Sequence, residues 1–178
     1  MRIIAGSLGG RTFHEPRGHK THPMSEKIRG ALFNALGDIE GLTFLDAFAG
    51  SGALSFEAAS RGASSVIAIE KDRASHSVID RNIAELSLSE IVHAVRANAG
   101  GWSIHNMEKK FDVVLLAPPY DYLQENLLAT LTKRHTKAGG LMVLDWPGKK
   151  ELPEFAKTKI IEKKNYGDAQ LAFYRKIK

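Results

Sequence analysis

Short apolar runs alternate with amphipathic stretches along the middle of the chain. The run Phe111–Leu116 is apolar at every position except Asp112, which is typical of a parallel strand buried on both faces. Repeated alternation of strand and helix predicts an α/β fold in which helices cover both faces of a parallel sheet. The predicted strands are Thr43–Phe48, Ser65–Glu70, Ile91–Arg96, Phe111–Leu116 and Leu141–Asp145, and the predicted helices are Gly52–Arg61, Asp72–Leu86 and Leu123–His135.

The two ends of the chain follow other patterns. The predicted elements there are a hairpin (Met1–Ala5 with Arg11–His14), a basic loop (Arg17–Pro23), an amphipathic helix (Ser25–Leu36) and two antiparallel tail strands (Thr158–Glu162 and Gln170–Ile177). Gly139 and Gly140 are expected to break the chain before the last central strand. We therefore predict an extension over residues 1–36 and a main domain over residues 37–178, together forming one compact unit.

The charge is unevenly distributed. The net charge of +5 divides into +4 over residues 1–36, −6 over residues 37–132 and +7 over residues 133–178. Basic ends around an acidic centre favour a polyanionic partner, although basic ends also serve simply to keep a protein in solution. The chain has no cysteine, which excludes disulfides and thiolate metal sites. It also lacks a membrane-length apolar run or a signal peptide, so we expect a cytoplasmic protein without membrane contact.

A glycine-rich turn, Asp46-Ala47-Phe48-Ala49-Gly50-Ser51-Gly52, follows the first central strand. Glycines at such a turn let the backbone approach a ligand, and the helix that follows offers free N–H groups. The turn lacks the spacing that seats a dinucleotide pyrophosphate. Asp46 at the strand end instead suits a ligand with a cationic amino-acid end. We predict S-adenosylmethionine as cofactor; NAD binding or a purely structural turn are the alternatives.

Two further strand ends carry candidate cofactor residues. Glu70 ends the second strand, where a carboxylate is placed to accept the ribose hydroxyls; the alternative is a surface carboxylate beside Lys71. Asn98 follows the third strand, where its amide could bind the adenine edge, although asparagine is also common in turns. The complete predicted cofactor set is Asp46, Phe48, Gly50, Ser51, Gly52, Glu70, Lys71 and Asn98.

The fourth strand ends in Leu116-Ala117-Pro118-Pro119-Tyr120. This segment resembles the signature of class I amino-methyltransferases, in which Asp or Asn precedes Pro-Pro and an aromatic residue. Almost the whole chain is similar to the RsmD family, bacterial enzymes that methylate a guanine N2 amine of small-subunit (16S) ribosomal RNA. The segments that carry this resemblance are Arg2–Gly6, Gly10-Arg11, Arg29–Leu36, Asp46–Leu54, Glu70, Asp72 and Pro118–Tyr120.

The resemblance implies a Rossmann-like sheet of seven mostly parallel strands and direct methyl transfer from S-adenosylmethionine, leaving S-adenosylhomocysteine. In the family, the acidic or amide side chain and a proline carbonyl accept hydrogens of the target amine, and the aromatic ring stacks on the flipped base. The corresponding catalytic positions are Ala117, Pro118, Pro119 and Tyr120. The implied partner is ribosomal RNA or an assembling small subunit, and we expect a monomer that needs no metal.

Two positions depart from the family pattern. Ala117 has no acceptor where Asp or Asn is usual, and the loss of one such contact typically lowers a rate by about 10²–10³. The site is therefore engineered to be inactive, naturally weakened, or completed by another group, for which Asp121 is a candidate. In addition, His22-Pro23-Met24 stands where the family usually has Arg-Pro-Thr near the cofactor; histidine keeps part of that contact when it donates a hydrogen bond.

The resemblance also implies that the N-terminal extension contacts RNA. If the hairpin overhangs the active-site edge, the basic entrance consists of Arg2, Arg11, Arg17, Lys20, His22 and Arg29; the alternative is ordinary surface charge. A metal cluster of His14, His19 and His22 is disfavoured because a fourth ligand is missing. Three other functions remain as alternatives: a catalytically silent protein that binds cofactor and RNA, a DNA amino-methyltransferase, and an oxidoreductase.

Overall fold

The computed structural model describes residues 1–18 and 23–178. These residues form five helices and seven strands. The helices are α1 (Glu26–Leu36), α2 (Ala53–Ser60), α3 (Arg73–Glu85), α4 (Ala99–His105) and α5 (Glu125–His135). The strands are β1 (Thr43–Asp46), β2 (Ser65–Glu70), β3 (Val92–Arg96), β4 (Phe111–Leu116), β5 (Thr136–Pro147), β6 (Thr158–Asn165) and β7 (Ala169–Lys176).

All seven strands join one sheet in the order β3-β2-β1-β4-β5-β7-β6. Strands β1 to β5 pair in parallel, and β7 runs antiparallel to both of its neighbours. The order reverses between β1 and β4, and ligands of open α/β sheets bind at the carboxyl ends of the strands at such a switch point. This topology confirms the predicted Rossmann-like fold and the antiparallel tail pair.

Two apolar cores lie on the two faces of the sheet. The first core packs α2, α3 and part of α1 against one face and includes Phe44, Val113 and Leu115. The second core contains residues of α4 and α5 and includes Leu45, Val114 and Leu116. Side chains along a strand alternate between faces, which explains why the apolar run of β4 supplies both cores. Every residue of α2 is buried.

The structure differs from the predictions at two glycine pairs. Gly139 and Gly140 do not break the chain before β5: they lie inside it, at a register shift opposite Phe111 and Val113. Gly139 has φ +75°, and a Cβ on Gly140 would lie 2.9 Å from the carbonyl oxygen of Lys137, so the pair forms a bulge. The short helix α4, which contains Gly100 and Gly101, was not predicted at all.

The N-terminal segment forms a minimal hairpin with a single bridge between Arg2 and Thr12. The buried Glu57 of α2 holds this segment, because its carboxylate accepts the N–H groups of Ile4 and Ala5 at 2.9 and 3.1 Å. Phe13 adds an edge-to-face contact with Phe56 at a ring-centroid separation of 5.1 Å. The extension is therefore packed along the outer side of α2.

Candidate active site

Four residues on neighbouring strands lie along the carboxyl edge of the sheet, and three of them (Asp46, Glu70 and Ala117) are candidates from the sequence. Since Phe44, Ala68, Leu115 and Val143 all contribute to the first core, the residues two positions further along each strand point to the same face. The register pairs Asp46 with Ala68 and Leu115, and Leu116 with Leu144. Glu70, Ala117 and Asp145 therefore share one level of the sheet, with Asp46 one pleat below them.

Asp46 is a fully buried carboxylate at the end of β1. Its Oδ2 accepts a hydrogen bond from Ser55 Oγ at 2.7 Å, whereas Oδ1 is buried without a hydrogen-bond partner among the described residues. Burial raises the pKa of Asp46 to about 6, and the nearby Glu70 carboxylate adds to that shift; the Ser55 hydroxyl and the backbone N–H groups of Phe48 and Ser55 oppose it. An unpartnered buried carboxylate oxygen fits a cationic ligand group.

The glycine-rich turn has the open geometry that the sequence predicts. Gly50 and Gly52 have φ values of +56° and +82°, which glycine adopts at low cost. A Cβ on Gly52 would lie 2.8 Å from the Phe56 ring, whereas a Cβ on Gly50 would have no neighbour within 4 Å. The backbone at Gly50 is thus open to a ligand. Ser51 is buried, and the half-buried Phe48 packs against the second core.

Glu70 binds the glycine turn as well as standing at the end of β2. Its Oε2 accepts the N–H of Gly50 at 2.8 Å, and its Oε1 accepts the N–H of Asp72 at 2.8 Å. A carboxylate oxygen has two acceptor positions, so each oxygen keeps one for a further donor. Lys71, the next residue, is exposed. Asp72 caps α3 by accepting the N–H of Ser75.

Asn98 caps helix α4. Its Oδ1 accepts the N–H of Gly101 at 2.7 Å, and the residue is exposed. The adenine contact predicted for this side chain therefore rests on its remaining amide N–H groups. The sequence contains little indication of α4, because glycine is among the weakest helix formers and α4 contains two glycines near its start. The capping Asn98 alone does not predict a helix.

The Pro-Pro-Tyr segment forms a turn after β4. Ala117 packs against the first core, Pro118 is buried, and the Pro119 carbonyl accepts the N–H of Tyr122 at 3.0 Å. Tyr120 Oη donates to Asp145 Oδ1 at 2.6 Å and contacts the Trp146 carbonyl oxygen at 3.1 Å. Burial, followed by the Asp145 carboxylate, raises the pKa of Tyr120, so its hydroxyl remains a donor.

Asp145 lies at this edge of the sheet and was not among the site residues predicted from the sequence. It lies beside the end of β4 and is half-buried; burial raises the pKa of its carboxyl, and the hydrogen bond from Tyr120 opposes this shift. The available signal was a lone carboxylate after the apolar run Leu141–Leu144, the same pattern that Asp46 shows at the end of β1. In the sequence, Asp145 is simply the last residue of the predicted strand Leu141–Asp145.

The expectation that Arg29 contacts RNA is wrong. Its side chain is fully buried, lies 3.6 Å from the Glu57 carboxylate and donates to the Arg2 carbonyl. Burial lowers the pKa of Arg29, and Glu57 opposes that shift. Arg29 precedes Leu32 and Phe33 by three and four positions, which places it on the buried side of α1. It therefore fixes the N-terminal segment from inside the protein.

The expected place of Arg11 in a basic entrance is also wrong. Its guanidinium donates to the Glu85 carbonyl at 3.1 Å, at the C-terminal end of α3. Since α3 connects two parallel strands, that end lies at the amino edge of the sheet, away from Asp46 and Ala117. The hairpin turn lies at the same edge, where Ser7 N–H donates to the Ser60 carbonyl. The hairpin thus does not overhang the active-site edge.

The remaining basic candidates differ in position. Arg2 is exposed and paired with Glu26 at 2.8 Å, at the N-terminal end of α1. Arg17 is exposed. Lys20 and His22 lie outside the described residues. Arg2 and Arg17 are thus the described members of the predicted set that remain candidates for contact with a polyanion.

The described residues contain neither a metal cluster nor a membrane-spanning helix. No group of three or more His, Asp or Glu side chains there is arranged to hold a metal ion; His19 and His22 lie outside the described residues. None of the described helices is long and apolar enough to cross a membrane. Trp102 and Trp146 are both buried in the second core.

The chain is similar to known proteins over most of its length. The family described as "Conserved hypothetical protein 95" matches residues 1–175. A Bacillus subtilis protein named "Putative rRNA methyltransferase YlbH" is 31% identical over 183 residues, which cover 99% of both chains. The Escherichia coli protein "Ribosomal RNA small subunit methyltransferase D" is 35% identical over 121 residues, 67% of this chain and 60% of that protein.

A solved structure gives the same result. "Putative methyltransferase yhhF from Escherichia coli" superimposes with a TM-score of 0.88 at 30% identity, and the match covers 99% of this chain and 98% of that chain. The resemblance therefore extends through the hairpin, the glycine-rich turn and the tail strands. The chain belongs to the RsmD-like family of methyltransferases.

Proposed function

We propose that this protein transfers a methyl group from S-adenosylmethionine to the exocyclic N2 amine of a guanine in small-subunit ribosomal RNA. The observation that carries the proposal is the juxtaposition of two features at one sheet edge. Asp46 presents an unpartnered buried oxygen below the open glycine turn, and the Pro-Pro-Tyr turn follows the adjacent strand β4. A methyl donor and a planar base would thus be held side by side.

The cofactor site is assigned from the donor and acceptor groups of the chain. Asp46 Oδ1 would accept a hydrogen bond from the cationic amino group, and Glu70 would accept the ribose hydroxyls with its two remaining acceptor positions. The Gly50–Gly52 backbone would pass close to the cofactor, with Phe48, Lys71 and the Asn98 amide at its periphery. When bound, S-adenosylmethionine supplies an electrophilic methyl group on a sulfonium, and transfer leaves S-adenosylhomocysteine.

The Pro118–Tyr120 turn would form the target-base pocket. A guanine amine is a poor nucleophile because its lone pair is delocalised into the ring. The Pro118 carbonyl would accept one amine hydrogen and favour a tetrahedral nitrogen aimed at the methyl group. The Tyr120 ring, which is 40% exposed, would stack on the flipped base. Fixing both reactants in line removes much of the entropic barrier.

The ribosomal substrate is inferred from two observations. The relatives named above include proteins whose names specify ribosomal RNA, and the chain has basic ends with a net charge of +5. Arg2 and Arg17, with Lys20 and His22, would neutralise phosphates next to the target nucleotide. The partner would be free ribosomal RNA or an assembling small subunit.

A second candidate is a protein that binds the cofactor and RNA without catalysis. Ala117 favours it, since this position lacks the side-chain acceptor of the family motif. Incubation with radiolabelled S-adenosylmethionine and either 16S RNA or small subunits lacking the modification distinguishes the two. The proposal requires labelled N2-methylguanosine in a nuclease digest. Cofactor binding without label from either RNA would support the silent protein.

A further inference from the structure

The methyl-transfer site lacks a side-chain acceptor at the position that ends β4. Ala117 offers only a methyl group, and it packs on the first core. Asp121, the candidate replacement in the sequence, is exposed and lies beyond Tyr120 in the turn. An acceptor for the amine must therefore come from a neighbouring strand if the pocket is to contain a carboxylate.

Asp145 occupies the neighbouring position on β5. Leu116 and Leu144 form the last parallel pair of β4 and β5. Ala117 and Asp145 each follow this pair by one residue, so their side chains are expected on the same face. Neighbouring strands lie about 4.8 Å apart. A carboxylate on β5 therefore reaches the space that a longer side chain at position 117 would fill.

The carboxylate of Asp145 is held by one oxygen only. Tyr120 Oη donates to Oδ1 at 2.6 Å, whereas Oδ2 has no hydrogen-bond partner among the described residues. Tyr120 belongs to the predicted base pocket, so this hydrogen bond connects the acceptor to the ring on which the base would stack. The arrangement leaves a fixed carboxylate with one oxygen available to a ligand.

We propose that Asp145 replaces the missing acceptor at position 117, with Oδ2 accepting a hydrogen of the target amine. This inference rests on the proposed methyl transfer. As the amine nitrogen bonds to the methyl carbon, the carbon–sulfur bond breaks and its electron pair remains on sulfur. The nitrogen then loses one proton to the Asp145 carboxylate, which releases it to water. The raised pKa of Asp145, caused by burial, favours that acceptance.

The test compares kcat for methyl transfer among five proteins. These are the unmodified chain, Asp145→Ala, Tyr120→Phe, Ala117→Asp, and the double variant Asp145→Ala with Ala117→Asp. Asp145→Leu serves as a second variant of similar shape if the alanine variant folds poorly, and S-adenosylmethionine binding is measured for each. Asp168→Ala, at an exposed carboxylate in the β6–β7 turn, is the matched control.

We expect Asp145→Ala to lower kcat by about 100- to 1,000-fold, the usual effect of removing one preorganised contact, with cofactor affinity unchanged. Adding Ala117→Asp to Asp145→Ala should restore most of the lost kcat, because it returns an acceptor to the same space. Tyr120→Phe should lower kcat by less than about tenfold, because the Asp145 carboxylate remains. Asp168→Ala should match the unmodified chain.

Three results would overturn the inference. The first is Asp145→Ala retaining activity. The second is a fall in kcat for Tyr120→Phe as large as that for Asp145→Ala, together with no recovery of kcat in the double variant. Asp145 would then only position the Tyr120 ring. The third is transfer by Ala117→Asp but none by the unmodified chain. If neither the unmodified chain nor Ala117→Asp transfers methyl groups while both bind the cofactor, the proposed function would be overturned instead.

Discussion

The Gly50 N–H donates to Glu70 Oε2 at 2.8 Å, which joins the glycine turn after β1 to the end of β2. The same carboxylate accepts the Asp72 N–H through Oε1. One side chain thus fixes two loops on the side of the switch point where the cofactor would bind. The strand ends and the glycine turn therefore act as one preorganised unit.

Replacement of Glu70 should lower the affinity for the cofactor more than it lowers the stability of the fold. Glu70→Gln keeps the shape but replaces one carboxylate oxygen by an NH2 group, and because Gly50 and Asp72 donate to different oxygens, one of these N–H groups loses its acceptor. We expect affinity for S-adenosylmethionine to fall by about tenfold or more, consistent with the loss of charge-assisted hydrogen bonds worth about 1.5–3 kcal/mol. Calorimetric titration with S-adenosylmethionine measures this affinity. Asp38→Asn, at an exposed carboxylate, is the control; equal affinities would contradict the assignment.

Asp46 should make stability depend on pH. Its pKa in the folded protein is raised from 3.8 to about 6, so between those values the folded protein keeps a proton that the unfolded chain releases. Its contribution to the free energy of unfolding therefore decreases as pH rises through this window. Relative to the unmodified protein without cofactor, Asp46→Asn should gain on the order of 2–3 kcal/mol between pH 4 and pH 7.

Denaturant unfolding at several pH values measures this difference. The same variant should lose cofactor affinity, because the cationic amino group would no longer meet a carboxylate. In the unmodified protein, affinity should rise with pH through about 6 as Asp46 ionises. A pH-independent difference in the free energy of unfolding would show that Asp46 titrates normally.

Arg29 should contribute to stability rather than to RNA affinity. Arg29→Met removes the buried guanidinium that lies near Glu57 and donates to the Arg2 carbonyl. Glu57 keeps Arg61, at 2.8 Å. We expect a loss of about 1–3 kcal/mol in the free energy of unfolding, typical of buried polar groups left without a partner. Thermal unfolding tests this, and an unchanged melting temperature would contradict it.

Arg17 and Arg11 should differ in RNA binding. Arg17→Ala should weaken binding and reduce the salt dependence of the affinity by about one counterion, as expected for a phosphate contact. Arg11→Ala, at the amino edge of the sheet and away from Asp46 and Ala117, should leave both quantities unchanged and serves as the matched control. Filter binding over a salt series measures them. The opposite ranking would place RNA at the amino edge.

The sequence predicted the features that depend on local patterns. The apolar run of β4 fits burial on both faces, and Asp72 begins an amphipathic run, so that strand and helix α3 were correctly predicted. Features that depend on tertiary contacts were missed. Arg29 is buried because the N-terminal segment supplies the Arg2 carbonyl and α2 supplies Glu57. Asp145 joins the site through register with β4 and through Tyr120, which single-strand patterns do not contain.

Methyl transfer by the unmodified chain tests the central claim most directly. The protein is incubated with radiolabelled S-adenosylmethionine and 16S RNA or small subunits, and the RNA is digested and its nucleosides separated. The account predicts label in N2-methylguanosine with the unmodified chain, and a strong reduction in Asp46→Asn. Cofactor binding without label in either substrate would contradict it.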